Sequence, residues 1–283
     1  MDQESDVVGS GRVAVVTGAA SGIGFALSER FAGEGMRVVM ADVEAPALAE
    51  AADLLAGRGA TVLPVTTDVS SEEQVDALRD RALDAFGAVH VVCNNAGVTG
   101  LSRPVWEMTR AEWEWVIGVN LWGVINGLRS FVPVLLEQDA AHVVNTASIA
   151  GLITGVLGPY SVTKHAVVAL TESLHLQLAA RGARVGVSVL CPGWVRTRIT
   201  EADRNRPAEL GPPPEPDPAN QQARELVRHL VETGMDPAQV AGHVVDAIRS
   251  GRFYVLTHPE MSEGVRQRAE AVLAGAPPGS ALG

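Results

Sequence analysis

Short apolar runs alternate along this chain with longer stretches whose apolar residues recur every three to four positions. Val13, Ala14, Val15 and Val16 form the first run, which reads as a strand buried on both faces. Residues 22–34 follow with Ile23, Ala26, Leu27 and Phe31 at helical spacing. The cycle then repeats. Strands are expected at 38–40, 61–65, 89–93, 142–145 and 185–190, and helices at 46–56, 70–86, 109–137 and 160–181. Ser70 with Glu73, and Thr109 with Glu112, have capping-box spacing, and Pro133 predicts a break or kink. Strands alternating with helices imply an α/β fold with a parallel sheet covered on both faces. Right-handed crossovers make it a Rossmann-type, doubly wound sheet with ligands at the carboxyl ends of the strands.

After Thr197 the rhythm breaks. Residues 204–219 are proline-rich, with a run of prolines at 212–218. Helix returns at 237–250, with Asp236 as N-cap and Pro237 at the first position, and a last strand is expected at 253–256. The expected organisation is one domain, 11–273, between disordered tails at 1–10 and 274–283. An insertion at about 198–235, after the sixth strand, reads as a mobile substrate lid, because a loop of this length in a compact fold is usually functional or disordered.

Composition adjusts this picture in a few places. Aromatics are 4% of the chain, so Ala, Val and Leu must fill the core, and a net charge of −11 argues against binding a nucleic-acid backbone. Cys93 and Cys191 have no metal-ligand or CxxC spacing, and the seven histidines form no i, i+4 pair, so no metal site is expected. The acidic, polar first ten residues do not read as a signal peptide, and no apolar run is long enough to span a bilayer. Together these suggest a cytoplasmic protein without a membrane partner.

The candidate chemistry lies at two points. Gly18, Gly22 and Gly24 follow the first strand and open the first helix, where backbone can approach a pyrophosphate and the helix N-terminus presents its amides. Ser21 and Ile23 lie within the same turn. Asp42 ends the second strand, 18 residues beyond Gly24, where an acid bonds the adenosine ribose of a dinucleotide. The second point is Tyr160 and Lys164. Four residues apart, they share one face of a helix, so the cation lowers the cost of ionising the phenol, which can then trade protons with an alcohol. Ser148 follows the fifth strand and offers a hydroxyl to a substrate oxygen.

With these residues the chain resembles the classical short-chain dehydrogenase/reductase family from about residue 12 to 258. The resemblance implies catalytic roles for Asn120, Ser148, Tyr160 and Lys164, although Ser148 stands 12 residues before Tyr160 where the family more often has 13. It implies that Asn120 fixes, through its backbone, a water linking the lysine to solvent. Asp68 and Val69 are expected at adenine. Asn95, Ala96 and Gly97 of Asn94-Asn95-Ala96-Gly97 are expected to floor the cofactor site, and Pro192, Gly193, Val195 and Thr197 to hold the nicotinamide carboxamide. Lys164 would also bind the nicotinamide ribose. The implied cofactor is NAD, since Ala19, Ala20, Ser21 and Val43 leave no cation where one would accept a 2′-phosphate. Arg37 begins the second strand, at the wrong end to reach the ribose.

The implied reaction interconverts a secondary alcohol and a ketone. Leu152, Ile153, Val156, Leu157, Trp106 and Trp194, with the segments 98–108 and beyond Thr197, are expected to line an apolar substrate pocket. Apolar residues on more than one face, at 121–125 and 166–170, imply a homodimer or homotetramer. Competing readings are a catalytically idle NAD-binding sensor or scaffold, an extended-type epimerase, and a carrier-protein-linked ketoacyl reductase. A broken tetrad, a longer C-terminal domain and a basic docking patch would respectively mark them.

Overall fold

The computed structural model describes residues 7–99, 104–153, 155, 157–212 and 221–279. The alternating pattern becomes β1 (Val13–Thr17), α1 (Gly22–Gly33), β2 (Arg37–Asp42), α2 (Ala45–Ala56), β3 (Val62–Thr66) and α3 (Glu72–Phe86). There follow β4 (Val91–Asn94), α4 (Arg110–Ile117), α5 (Gly123–Leu136), β5 (Ala141–Thr146), α6 (Pro159–Ala180) and β6 (Val185–Cys191). After β6 come α7 (Gln221–Glu232), α8 (Pro237–Ser250), β7 (Tyr254–Leu256) and α9 (Ser262–Ala274). The seven strands form one parallel sheet in the order β3-β2-β1-β4-β5-β6-β7. The order reverses between β1 and β4, which opens a crevice above their carboxyl ends.

Burial explains why the strands read as runs. Every residue of β1 is buried. Ala14 and Val16 pack with Leu27, Phe31 and Val244 on one face, whereas Val13 and Val15 pack with Leu78, Phe131 and Leu135 on the other. The two faces alternate along the strand, so two apolar layers consume every position.

Several boundaries differ from expectation for local reasons. The N-cap of α3 is Ser71, whose Oγ accepts from Gln74 N, because Ser70 is held by Asp68 through both its N–H and its hydroxyl. The Thr109–Glu112 capping box forms as its spacing implies. Pro133 does not break its helix, since α5 continues through it to Leu136. The irregularity lies instead at Gly118–Trp122, a π-turn between α4 and α5 in which Gly123 N–H bonds Gly118 O. Gly123 lies close against the turn after β3, where a Cβ would come within 2.7 Å of Val69. The first ten residues are not all a tail: 1–6 lie outside the described residues, but Val7 and Val8 are buried in the core. Helix α9 occupies much of the chain after β7 and has no buried residue.

Contrary to the sequence reading, one helix, Arg110–Leu136, is long and apolar enough by length and composition to cross a membrane. In this fold Val124, Phe131 and Leu135 are buried in the core clusters, and the buried Asn120, Asn126 and Ser130 have hydrogen-bond partners. One face of this helix thus packs in the core of the fold.

One buried group makes stability depend on pH. His142 of β5 is buried, with Nε2 2.8 Å from Ser188 Oγ. Ser188 donates its proton to Arg252 O at 2.6 Å, so its oxygen accepts from His142, which assigns the Nε2–H tautomer. Burial pushes the imidazole down to about 3. A free histidine titrates near ~6.5, so between these values the unfolded chain binds a proton that the folded one does not. Stability from this group is therefore full above pH ~6.5 and falls with pH toward about 3, by roughly 2 kcal/mol between pH 7 and 5. Urea unfolding of wild type and His142→Gln at these two pH values should show the variant losing that part of the dependence. An identical dependence in the two proteins would rule His142 out as its source.

Candidate functional site

The loops at the carboxyl ends of β1 to β6 surround one large cleft of about 320 Å³. At one end β1 hands over to α1 through the glycine turn. Gly18 has φ +65°, and Gly24 sits so close behind it that a Cβ there would lie 2.0 Å from Gly18 O. Backbone therefore forms this wall of the cleft, as an approaching diphosphate requires. Asp42, at the tip of β2, accepts from Ala20 N and Glu44 N, each at 3.0 Å. Two backbone donors thus fix its carboxylate at the cleft edge. Asp68 Oδ1 is turned on Ser70, and Asp68 and Val69 line the same end.

The floor is tied together by polar side chains. Thr17 Oγ1 accepts from Asn95 N at 2.9 Å and Ala96 N at 3.1 Å, while Asn95 Nδ2 donates to Thr17 O at 2.9 Å. Thr146 Oγ1 donates to Asn95 Oδ1 at 3.2 Å, joining β5 to β1 through this asparagine. Asn94 donates to Asn145 at 2.8 Å, one layer below.

At the other end, Ser148 caps a short 3₁₀ turn, Ile149–Gly151, by accepting from Ala150 N at 3.1 Å. Its hydroxyl also acts on the Tyr160 phenol, opposing the effect of burial there, so the serine that caps this turn sits on the same wall of the cleft as the tyrosine. Tyr160 enters on the first turn of α6, and Lys164, one turn on, lies with Nζ 5.6 Å from the phenol ring centre. Lys164 Nζ donates to Thr146 O at 2.8 Å. Burial pulls Lys164 down to about 8. Burial also raises Tyr160, with the Ser148 hydrogen bond acting against it. The expectation that the cation lowers the phenol is thus not met by these residues alone.

Asn120 lies in the π-turn, fully buried behind the wall. Its Oδ1 accepts from Val98 N at 2.8 Å, and its Nδ2 donates to Val98 O at 2.9 Å and Thr163 Oγ1 at 3.2 Å. A Cβ on Gly97 would be 3.4 Å from Asn120 Oδ1 and 3.5 Å from Lys164 Nζ, so these three residues meet.

Gly18, Ser21, Gly22, Ile23, Asp42, Asp68, Val69, Asn95, Ala96, Gly97, Ser148, Tyr160, Lys164, Pro192, Gly193, Val195 and Thr197 all line the cleft, whereas Gly24 and Asn120 stand behind it. Gly193 N–H donates to His258 Nδ1 at 3.1 Å, a contact with no trace in the local sequence. The apolar end departs from expectation. Ile153, Leu157 and Trp194 line it, but Leu152 packs into a core cluster and Trp106 is exposed. Val156 and residues 100–103 lie outside the described residues. Trp115, Val119, Ile199, Ala202, Val227 and Val231 also line it. The last two come from α7, whose spacing of Val227, Leu230 and Val231 was a readable helical stripe.

A cation also stands near Asp42, where none was expected. Arg204 and Asn205, from the segment after β6, both bond Glu44 Oε1, at 2.8 and 2.9 Å.

The family model for short chain dehydrogenases matches residues 12–208. The chain belongs to this family. A short-chain dehydrogenase/reductase from Burkholderia phymatum, solved in complex with NAD, is 45% identical. Its TM-score is 0.93, and the match covers 96% of this chain and 98% of that one. The 1-deoxy-11-beta-hydroxypentalenate dehydrogenase of Streptomyces exfoliatus is 40% identical, over 92% of this chain and 88% of its own length. The 3beta-hydroxysteroid dehydrogenase 2 of Eggerthella lenta is 37% identical, over 71% and 77% respectively.

Proposed function

We propose that this short-chain dehydrogenase interconverts a bulky, apolar secondary alcohol and its ketone with NAD(H). The observation that carries the reading is that Ser148, Tyr160 and Lys164 share one cleft, with Lys164 Nζ 5.6 Å from the Tyr160 ring centre, and that its far end presents Asp42. The glycine wall and the Asp42 carboxylate fit a dinucleotide. When bound, the oxidised dinucleotide supplies a hydride acceptor and a positive charge beside the phenol.

The residues do the rest. Ser148 donates to the substrate oxygen and holds it against Tyr160. Tyr160 takes the alcohol proton, or returns it to the ketone in the reverse direction. Lys164, tethered on Thr146 O, stabilises the phenolate and would hold the nicotinamide ribose of a bound dinucleotide. Asn120 fixes the loop at Val98 and bonds Thr163, next to Lys164 on α6, and the apolar end excludes water. Val195 and Thr197, with Pro192 and Gly193, line the cleft where they would hold the carboxamide. Residues 198–212 and α7 open and close over the substrate.

The lining of Trp115, Val119, Ile153, Leu157 and Val231 supports an apolar, ring-sized substrate, as do the hydroxypentalenate and hydroxysteroid relatives. Outside the cleft, Trp122 at the end of the π-turn and Val162 and Leu176 on α6 leave apolar surface, which supports a homo-oligomer packed through this face. Alicyclic and aryl secondary alcohols, assayed with NAD at the absorbance of reduced nicotinamide, should turn over, while small hydroxy acids should not. NADH binding without turnover of any alcohol would favour the idle sensor instead.

A further inference from the structure

The segment after β6 reaches across the cleft to the adenosine end. Arg204, 160 residues from Glu44 in sequence, donates from Nε to Glu44 Oε1 at 2.8 Å, and both side chains are about a quarter exposed. Asn205 donates to the same oxygen. Arg204 Nη1 donates to Arg198 O at 3.0 Å and Glu201 O at 3.1 Å, which fixes the guanidinium on its own segment. Its Nη2 has no hydrogen-bond partner among the described residues. The next arginine fastens the same segment to the opposite wall. Arg206 pairs with Glu112 at 3.5 Å, both less than a tenth exposed, and lies over the Trp115 ring. Glu44 N–H in turn donates to Asp42 Oδ1. Asp42, Glu44 and Arg204 therefore form one chain of contacts along the cleft edge.

We propose that Glu44 is a specificity-determining residue that masks Arg204. The cleft holds a guanidinium able to take a 2′-phosphate, and Glu44 neutralises and orients it away from that use. The proposal rests on the dinucleotide reading of the Asp42 end. Without Glu44 the guanidinium keeps its anchors on Arg198 O and Glu201 O but loses its counter-charge. A phosphate two bonds from the adenosine ribose would then meet Asp42 and an uncompensated cation together. Arginine binds phosphate through two donors in a plane, and its Nε and Nη2 edge is the one released.

Calorimetry with adenosine 5′-monophosphate and adenosine 2′,5′-bisphosphate separates the possibilities without any turnover. Wild type should bind the monophosphate and prefer it. Glu44→Gln should bind the bisphosphate roughly tenfold more tightly than wild type, with monophosphate affinity little changed and the gain shrinking as salt rises. Glu44→Gln combined with Arg204→Gln should lose the gain. An unchanged bisphosphate affinity in Glu44→Gln would overturn the masking, as would a gain that survives removal of Arg204. If wild type bound neither nucleotide, the dinucleotide reading itself would fail and the masking with it. Matched urea midpoints for the three proteins would show that folding is not the cause.

Discussion

Tyr160→Phe should lower turnover at least ~100-fold while leaving NADH affinity within a few-fold of wild type. The substitution removes one oxygen from a partly buried side chain on the first turn of α6 and keeps the ring that Lys164 faces. Ser148 retains its other contacts, to Ala150 N and Pro192 O, so its turn should persist. What is lost is the proposed proton carrier. Burial raises Tyr160, and only the Ser148 hydrogen bond acts against that among the groups beside it. The phenolate therefore depends on charge brought by the oxidised ring and on Lys164, itself brought down to about 8. The turnover of wild type in the oxidative direction should accordingly rise with pH. The residual rate of Tyr160→Phe should lack that rise. Steady-state rates across pH, with NADH titrated by fluorescence, read both effects. Near-normal turnover in Tyr160→Phe would take the phenol out of the mechanism.

The parts of this protein that were legible in its sequence are those where local chemistry and fold agree. The strands were readable because both faces of the sheet are covered, so β1 and β4 are apolar up to their last residues, Thr17 and Asn94. Tyr160 and Lys164 were readable because helical spacing alone puts them on one face. Helix α9 was not, since it buries nothing and carries no apolar stripe to reveal it. The π-turn left only Gly118 and Gly123 as a trace, and Pro133 drew attention to the wrong turn of the helix. Ser70 and Ser71 are equivalent N-caps by type. The choice fell to Asp68, which had already claimed Ser70. The substrate wall was partly misread for the same reason: Leu152 and Ile153 are alike in sequence, but one faces the core and the other the cleft. Contacts between distant segments were beyond local reading altogether. Nothing near Glu44 announces Arg204, and nothing near Gly193 announces His258.

Cofactor choice should favour NAD over NADP, with a kcat/KM ratio above ten. Asp42 is held at the cleft edge by the N–H groups of Ala20 and Glu44, so it cannot swing away from a bulkier ribose without losing two hydrogen bonds. A 2′-phosphate would bring its negative charge within a few ångströms of that carboxylate. The like-charge cost is on the order of 1–4 kcal/mol at an intermediate effective dielectric. That range corresponds to roughly tenfold to several hundredfold in affinity. Arg204 does not reverse the balance, because Glu44 already occupies it. The local charge at this edge, Asp42 with the Glu44–Arg204 pair, stays negative by one. Asp42→Ala should therefore collapse the ratio, chiefly by weakening NAD through lost ribose hydrogen bonds and by relieving NADP of repulsion. Removing the carboxylate also frees the Ala20 and Glu44 amides, which can then face phosphate oxygens as donors. The relief for NADP should be larger when Asp42→Ala is joined to Glu44→Gln than the two single effects combined, since the second change releases a cation beside the position the first has cleared. Specificity ratios for wild type, both single variants and the double variant, at fixed salt, complete the cycle. A wild-type preference for NADP would sink the assignment of Asp42 to the ribose.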